Sequence, residues 1–283
     1  MTHIKTIHSE QIADCVARLC VEACTVLPPH VRTLLKDAQE AEPYAPARES
    51  IALVCENYKI AEQLQTPICQ DTGMAVVIAE VGQDVHIVGD TLEEAVNLGV
   101  HRGYTEGYLR KSVVEDPLRR KNTGDNTPAV LHVRLVQGDH LKLTVSPKGF
   151  GSENMSRLAM LMPAQGLQGV KDFVIETMRI AGANPCPPAM LGVGIGGTFE
   201  QVALLAKEAL VEMRPGDHPD PFYDALEKEL LQKINALGIG PQGYGGLTTA
   251  LSVRIKTAPT HIAGLPVAVN VGCHATRRAS AEL

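Results

Sequence analysis

The sequence predicts an α+β fold: a helical N-terminal quarter, then a mixed sheet with a β-hairpin, helices packed around it, and Gly-rich loops forming the site. Three observations predict it. Apolar residues recur at helical spacing through about residue 66, whereas later stretches such as GMAVVIAEV and LPVAVNVG read as strands. Helices and strands follow one another without a regular β–α–β alternation. With 283 residues, 45% hydrophobic and 20% charged, the chain suits one folded domain spanning 1–283, its helical part covering about 1–66.

The elements follow in order. SEQIADCVARLCVEACTVL places Ile12, Val16, Leu19 and Val21 at helical spacing, with Ser9 or Thr6 as cap. PPHVRTLLKDAQEAE is a second helix with Pro29 near its first turn, where the missing N–H would be unsatisfied anyway. ARESIALVCENYKIAEQL is a third. After the GMAVVIAEV strand comes TLEEAVNLGVHRGYTEGYL, a helix opened by Thr91 with Glu94 three residues on, a capping box. AVLHVRLV and LKLTV, joined by QGDH, read as a β-hairpin. VKDFVIETMRIAG and FEQVALLAKEALVEM are helices, as is DPFYDALEKELLQKINALG, which ends at Gly238 as its C′ residue. LTTALSVRIKTA and LPVAVNVG close the series as strands. Neither an internal repeat nor a low-complexity tract interrupts it.

Composition excludes several functions. A net charge of −6 lacks the basic excess of a nucleic-acid binder. Trp is absent and aromatics make up 4%, so the core is aliphatic. The N-terminal MTHIKTIHSEQIADC has no apolar signal region, and no apolar run is long enough to span a bilayer. These features lead us to expect a cytoplasmic protein without a membrane or nucleic-acid partner. Seven cysteines, an odd number in a chain that is neither small nor secreted, point to thiols or metal ligands rather than disulfides.

The loops are richer in information: NTGDNTP, SPKGFGSEN, GANPCPPAM, GVGIGGT, IGPQGYGGL and VGCHATRR are dense in Gly, Pro and Asn. Such loops let backbone approach a ligand closely. The cysteines divide by setting. Cys15, Cys20, Cys24 and Cys55 lie within helical patterns and read as small core hydrophobes. Cys69, Cys186 and Cys273 stand alone in turn-like segments flanked by Pro or Gly, without a CxxC spacing. Three such thiols fit a metal site with one open position, a nucleophile with two bystanders, or chance.

The motifs ICQDTG, NTGDNTPA, SPKGFGSEN, NPCPPAMLGVGIGGT and GLPVAVNVGCHATRR, in this order, resemble the iron–sulfur hydro-lyases of the class I fumarase and tartrate dehydratase type. The resemblance runs from about residue 10 to the C-terminus and matches the separately encoded alpha subunit. It implies that Cys69, Cys186 and Cys273 hold a [4Fe-4S] cluster with one iron lacking a protein ligand. That iron acts as a Lewis acid on the substrate's hydroxyl. Asp71, two residues from Cys69, becomes the candidate for the proton of the added water, against its reading as a turn aspartate. His261 orients Asp71 or moves a proton, against its reading as a satisfied loop histidine. Arg110 and Gln70 bind a carboxylate of the dicarboxylate substrate, and Gly149 or Gly151 offers a backbone N–H. GVGIGG lacks the context of a dinucleotide fingerprint and reads as backbone packing near the cluster.

The resemblance further implies a beta subunit carrying the smaller domain and the base for the carbon-bound proton, and a second alpha chain in an α₂β₂ heterotetramer. The leading function is fumarate hydratase, interconverting fumarate and (S)-malate. L(+)-tartrate dehydratase is the nearest alternative. A non-catalytic iron–sulfur or redox-sensing protein is the alternative from another class.

Overall fold

The computed structural model describes residues 4–213 and 216–283. The chain opens with β1 (Lys5–His8), α1 (Ser9–Thr25), α2 (Pro29–Ala41) and α3 (Ala45–Leu64). There follow β2 (Met74–Gly82), β3 (Val85–Val88), α4 (Leu92–Glu106), β4 (Val130–Val136), β5 (Leu141–Lys148) and the short α5 (Phe150–Glu153). The second half runs β6 (Arg157–Leu161), α6 (Gly166–Ala181), β7 (Ala189–Gly196), α7 (Phe199–Glu212) and α8 (Pro221–Asn235). It ends with β8 (Ala250–Ala258), β9 (Leu265–Gly272) and β10 (Ala279–Glu282). The α+β class is as expected. Two compact units form, one from Met1–Pro28, Asn57–Phe150 and Arg277–Leu283, the other from Pro29–Glu56 and Gly151–Thr276.

In the first unit a four-stranded sheet has the order β10-β5-β2-β4, and β1 pairs with β3 in a separate parallel ribbon. Helix α1 packs on β5 and β10 and carries α4 against it. Ile12, Val16, Leu19, Val77, Val100, Tyr104 and Leu143 are among the residues of this core. Apart from Tyr104 it is aliphatic, as the composition requires. Thr91 and Glu94 form the expected capping box on α4. The N-cap of α1 is His8, with Gln11 reaching back to its N–H, rather than Ser9 or Thr6.

The hairpin expectation fails. β4 and β5 do not pair: β2 lies between them, parallel to β4 and antiparallel to β5. The continuous burial of β2 explains this, since a strand buried on nearly every residue belongs at a sheet centre and not at its edge. The tail segment ASAE, with no strand expectation attached to it, pairs antiparallel with β5.

In the second unit the sheet order is β6-β9-β7-β8. Alternation along β7 decides its two faces. Leu191 and Val193 join Val174, Met178, Leu226 and Leu230 in the core beneath α6 and α8. Gly192 and Gly194 point to α7 instead. A Cβ on Gly192 would lie 2.1 Å from Ala206 O, and one on Gly194 2.3 Å from Val202 O. GVGIG is therefore not a loop but a strand whose alternate side chains are absent so that a helix can lie on it. The described part of the chain has no helix long and apolar enough to cross a membrane.

Candidate active site

Register places the candidate residues. In the first unit Met74 at the start of β2 pairs with Lys148 at the end of β5. The turn before β2, with Cys69, Gln70 and Asp71, therefore meets the turn after β5, with Gly149 and Phe150. Asp71 Oδ2 accepts from Phe150 N at 2.9 Å, and its Oδ1 accepts from Gly73 N at 2.9 Å. The aspartate is thus both a turn residue and a link to the KGFG loop. A Cβ on Gly149 would stand 3.1 Å from Asp71 Oδ2, so the absence of a side chain there lets the loop close on the carboxylate. The amide that meets the carboxylate is that of Phe150, between the two glycines named from the sequence.

The turn is held from below. Ile68 N donates to Cys24 O (2.9 Å) and Asn57 Nδ2 donates to Ile68 O (2.8 Å). Arg277, 3% exposed, donates through Nη2 to Asp71 O. Tyr104, fully buried on α4, donates its hydroxyl to Thr72 O at 2.8 Å. Thr72 Oγ1 in turn donates to Arg110 O at 2.9 Å. These bonds fix the backbone of Asp71 and Arg110 while the Gln70 and Arg110 side chains remain exposed. The Asp71 N–H is aimed at Cys69 Sγ, 3.4 Å away.

In the second unit the same device recurs. Met190 near the start of β7 pairs with Gly272 at the end of β9. Cys186, just before β7, and Cys273, just after β9, are thereby set at one end of the sheet. His274 Nδ1 is 2.9 Å from Cys186 O and 3.2 Å from Gln242 Nε2. Gln242 Nε2 has a better acceptor in Pro187 O at 2.7 Å, so the imidazole N–H is donated to Cys186 O. Gln242 also donates its backbone N–H to Pro187 O (2.8 Å). Thr276 Oγ1 donates to Cys273 O at 2.7 Å. His261 lies in the turn before β9, exposed, its Nδ1 accepting from Ala263 N at 3.2 Å. Gly151 begins this unit, and a Cβ there would approach Asn184 O at 3.7 Å.

The thiols separate into two chemical classes. None of the seven is in a disulfide. Cys15, Cys20, Cys24 and Cys55 are buried, whereas Cys69 and Cys273 are half-buried and Cys186 is exposed. Burial pushes the Cys24 thiol up to about 11 against the opposing pull of Arg277, and pushes the Cys20 thiol up further still. A thiol so disfavoured as thiolate is a poor metal ligand. Three accessible turn thiols, one already receiving an amide N–H, fit the thiolate donor set of an iron–sulfur cluster. Among the described residues no three or more His, Cys, Asp or Glu side chains are gathered as a ready-made ion site.

Residues 13–282 match the family model described as Fumarate hydratase (Fumerase). The chain belongs to this family. Three relatives are similar over 95% of this chain. A Methanocaldococcus jannaschii protein, provisionally named L(+)-tartrate dehydratase subunit alpha, is 41% identical over 276 residues, 95% of this chain and 96% of its own length. L(+)-tartrate dehydratase subunit alpha of Escherichia coli K12 is 32% identical over 271 residues, 95% of this chain and 89% of its own. The Shigella sonnei protein of the same name matches to the same extent. This Fumerase-family chain is accordingly a hydro-lyase of the alpha-subunit type, which sets aside the non-catalytic reading.

Several residues around the site were not singled out from the sequence. Tyr104 looked like one more apolar helix position, and Gln242, His274 and Arg277 lay in Gly-rich or charged segments without periodicity. Asn126 stands with Asp125 in NTGDNTPA, a loop that the resemblance suggests lines the site, without a role of its own. The signal available for all except Tyr104 was position inside the dense Gly/Pro/Asn loops, where a polar residue without a pattern is there for a specific bond.

Proposed function

We propose that this hydro-lyase chain is the alpha subunit of an iron–sulfur fumarate hydratase, interconverting fumarate and (S)-malate together with a separate beta subunit. The observation that carries the reading is the division of the thiols: four sealed in cores, three on turns beside strand ends. Cys69, Cys186 and Cys273 would supply three thiolates. A [4Fe-4S] cluster held this way, with one iron lacking a protein ligand, supplies Lewis-acid polarisation of the substrate oxygen when bound.

The chain's own groups do the rest. The exposed guanidinium of Arg110 matches a carboxylate in bidentate geometry, and the Gln70 amide can donate to the same group. Asp71 presents two oxygens, each already accepting one backbone N–H and each with a further lone pair. In hydration it takes the proton lost by the attacking water, and in dehydration it returns that proton to the leaving hydroxyl. His261, with Nδ1 accepting from its own turn, offers Nε2–H to an oxygen of the substrate. Gly149 keeps the KGFG loop close, and it and Gly151 can turn backbone donors to the substrate. The carbon-bound proton needs a base on the beta subunit, whose existence is supported by the relatives' names as alpha subunits. Alpha chains paired as α₂β₂ complete the proposal.

A second reading has its own support: the relatives at 41% and 32% identity carry the name of L(+)-tartrate dehydratase. Both reactions eliminate water from a four-carbon dicarboxylate. The deciding experiment is anaerobic reconstitution of alpha with its beta partner, followed by assays with (S)-malate, fumarate and L(+)-tartrate. Turnover of fumarate supports the first reading, and turnover of tartrate alone replaces it by the second. Cys69→Ser, Cys186→Ser and Cys273→Ser should each lose iron, while Cys15→Ser keeps it. Asp71→Asn should keep iron and lose about 10²-fold in kcat. Full activity of alpha alone would overturn the assignment of the carbon base to beta.

A further inference from the structure

We propose that Asn126 is a positioning residue of the reaction, its carboxamide fixing the separation between Asp71 and Arg110; this rests on the roles just proposed for those two residues. Asn126 is completely buried, 0% exposed. Its Oδ1 accepts from Ser112 N at 2.7 Å and from Val113 N at 3.3 Å. Its Nδ2 donates to Gly73 O at 3.1 Å. Two amide donors on one side and a carbonyl on the other leave one orientation of the carboxamide, and no other uncharged side chain of this size offers both functions.

The two segments it joins are the two that matter. Gly73 is the residue whose N–H holds Asp71 Oδ1. Ser112 is two residues from Arg110. One further cross-link exists beside it, from Thr72 Oγ1 to Arg110 O, and Tyr104 anchors Thr72 from α4. Asn126 thus closes a ring of hydrogen bonds running Gly73, Thr72, Arg110, Ser112 and back. Without it the link between the Arg110 segment and the Asp71 turn, among the described residues, is the bond from Thr72 Oγ1 to Arg110 O. Catalysis by bound groups is sensitive to shifts of about 1 Å, which can cost about 10²-fold.

The backbone at Asn126 supports a dedicated role. Its φ is +68°, a left-handed conformation that asparagine adopts more readily than most residues. The neighbouring Asp125 secures the loop from outside, accepting from Thr127 N (3.0 Å) and Thr127 Oγ1 (2.7 Å) with one oxygen and facing His101 Nδ1 (3.1 Å) with the other. The loop is therefore held before the Asn126 side chain is counted, and that side chain adds only the link between the two segments.

The test uses the assembled enzyme with Asn126→Gly and Asn126→Asp. Glycine keeps the left-handed backbone and removes all three side-chain bonds. Aspartate keeps the acceptor for Ser112 and Val113 but sets a second oxygen against Gly73 O. We expect both to lower kcat/KM by 10-fold or more, with KM raised in each, and hydrogen exchange of the Ser112 and Val113 amides to quicken in the glycine variant only. Val96→Ala, a core change on α4, is the control for lost stability. It should leave kcat and KM near wild type wherever it remains folded. If the Asn126 variants match that control at equal folded fraction, the residue is structural and the inference fails. An Asn126→Gly variant too unstable to assay leaves Asn126→Asp, with its preserved Ser112 contact, to decide by the same criterion. Arg110→Gln separates the two levels: an unchanged KM there removes the reading of Arg110 itself, whereas a raised KM there with normal Asn126 variants removes the positioning role alone.

Discussion

Glu42 offers a quantitative test of how the second unit holds its glycine-rich loop. Its carboxylate is 1% exposed, at the end of α2. It accepts from Leu247 N (2.9 Å), Thr248 N (3.0 Å), Thr248 Oγ1 (3.0 Å) and Tyr44 N (3.3 Å). A Cβ on Gly246 would come within 2.8 Å of Glu42 Oε1, so the loop wraps the carboxylate without room for a side chain. Hydrogen bonds to a charged acceptor contribute about 1.5–3 kcal/mol each, and buried donors left unsatisfied cost a similar amount. Three backbone amides lose their acceptor in Glu42→Ala. Water admitted to the vacated space recovers part of this, so the expected destabilisation is about 3–5 kcal/mol. Glu42→Gln keeps one oxygen but turns an NH₂ toward other donors, for an expected cost of about 1–3 kcal/mol. Urea unfolding of the two variants beside wild type measures both. The same loop carries Gln242, which holds Pro187 next to Cys186. Alkylation of Cys186 should therefore quicken in Glu42→Ala. A loss below about 1 kcal/mol for the alanine variant, outside the scale expected for charged hydrogen bonds, would refute the idea that this carboxylate organises the loop.

Other outcomes follow from the same contacts. An alkylating reagent at neutral pH, applied to the purified chain without added metal, should modify Cys69, Cys186 and Cys273 first, with Cys20 and Cys24 reacting only on unfolding; peptide mass mapping reads this directly. Gly192→Ala should destabilise by about 3 kcal/mol or more, because the added methyl meets backbone and not a side chain that can move; thermal unfolding measures it. Asp125 supplies a pH signature. Burial opposes its ionisation, but the hydrogen bonds from Thr127 and the facing His101 imidazole outweigh this and hold it at about 2. The folded value lies below the unfolded one, so its contribution is complete above about pH 4 and is lost as pH falls toward 2. With the side chain 28% exposed, solvent screening reduces this to about 1 kcal/mol. The stability gap between wild type and Asp125→Ala should shrink over that interval.

The helices were legible because each carries a long apolar stripe and several carry a written cap. Thr91 and Glu94 announce α4, and Pro29 sits at the first residue of α2. The pairing of strands was not legible. AVLHVRLV and LKLTV alternate as a hairpin would, and nothing local reveals that a strand some fifty residues earlier inserts between them. GVGIGG looked like a loop because glycine is scarce in strands, and its reason is a helix that arrives only later in the chain. The short β1, β3 and β10 have too few residues for a period to show. Cysteine settings, by contrast, sorted correctly into four core and three turn thiols. A buried thiol lies within an apolar period, and an isolated one beside Pro or Gly does not.

The position of the site residues follows from one property of antiparallel pairs. Where strands run antiparallel, the start of one lies beside the end of the other. β2 and β5 are such a pair, and the turn entering the first meets the turn leaving the second: Asp71 meets Phe150. β7 and β9 are another, and Cys186 before the first comes beside His274 after the second. The contacts join residues 79 and 88 positions apart, through turns whose own sequence says only that they are turns. Because side chains alternate along a strand, a register shift of one residue in either pair would turn the facing residues over and separate these turns by about 3.3 Å. The sheets therefore need buried, well-specified central strands, and both have them: every residue of β7 but Ile195, and every residue of β2 but Met74 and Glu80, is buried. Core packing in these two strands sets the precision with which the turn residues meet.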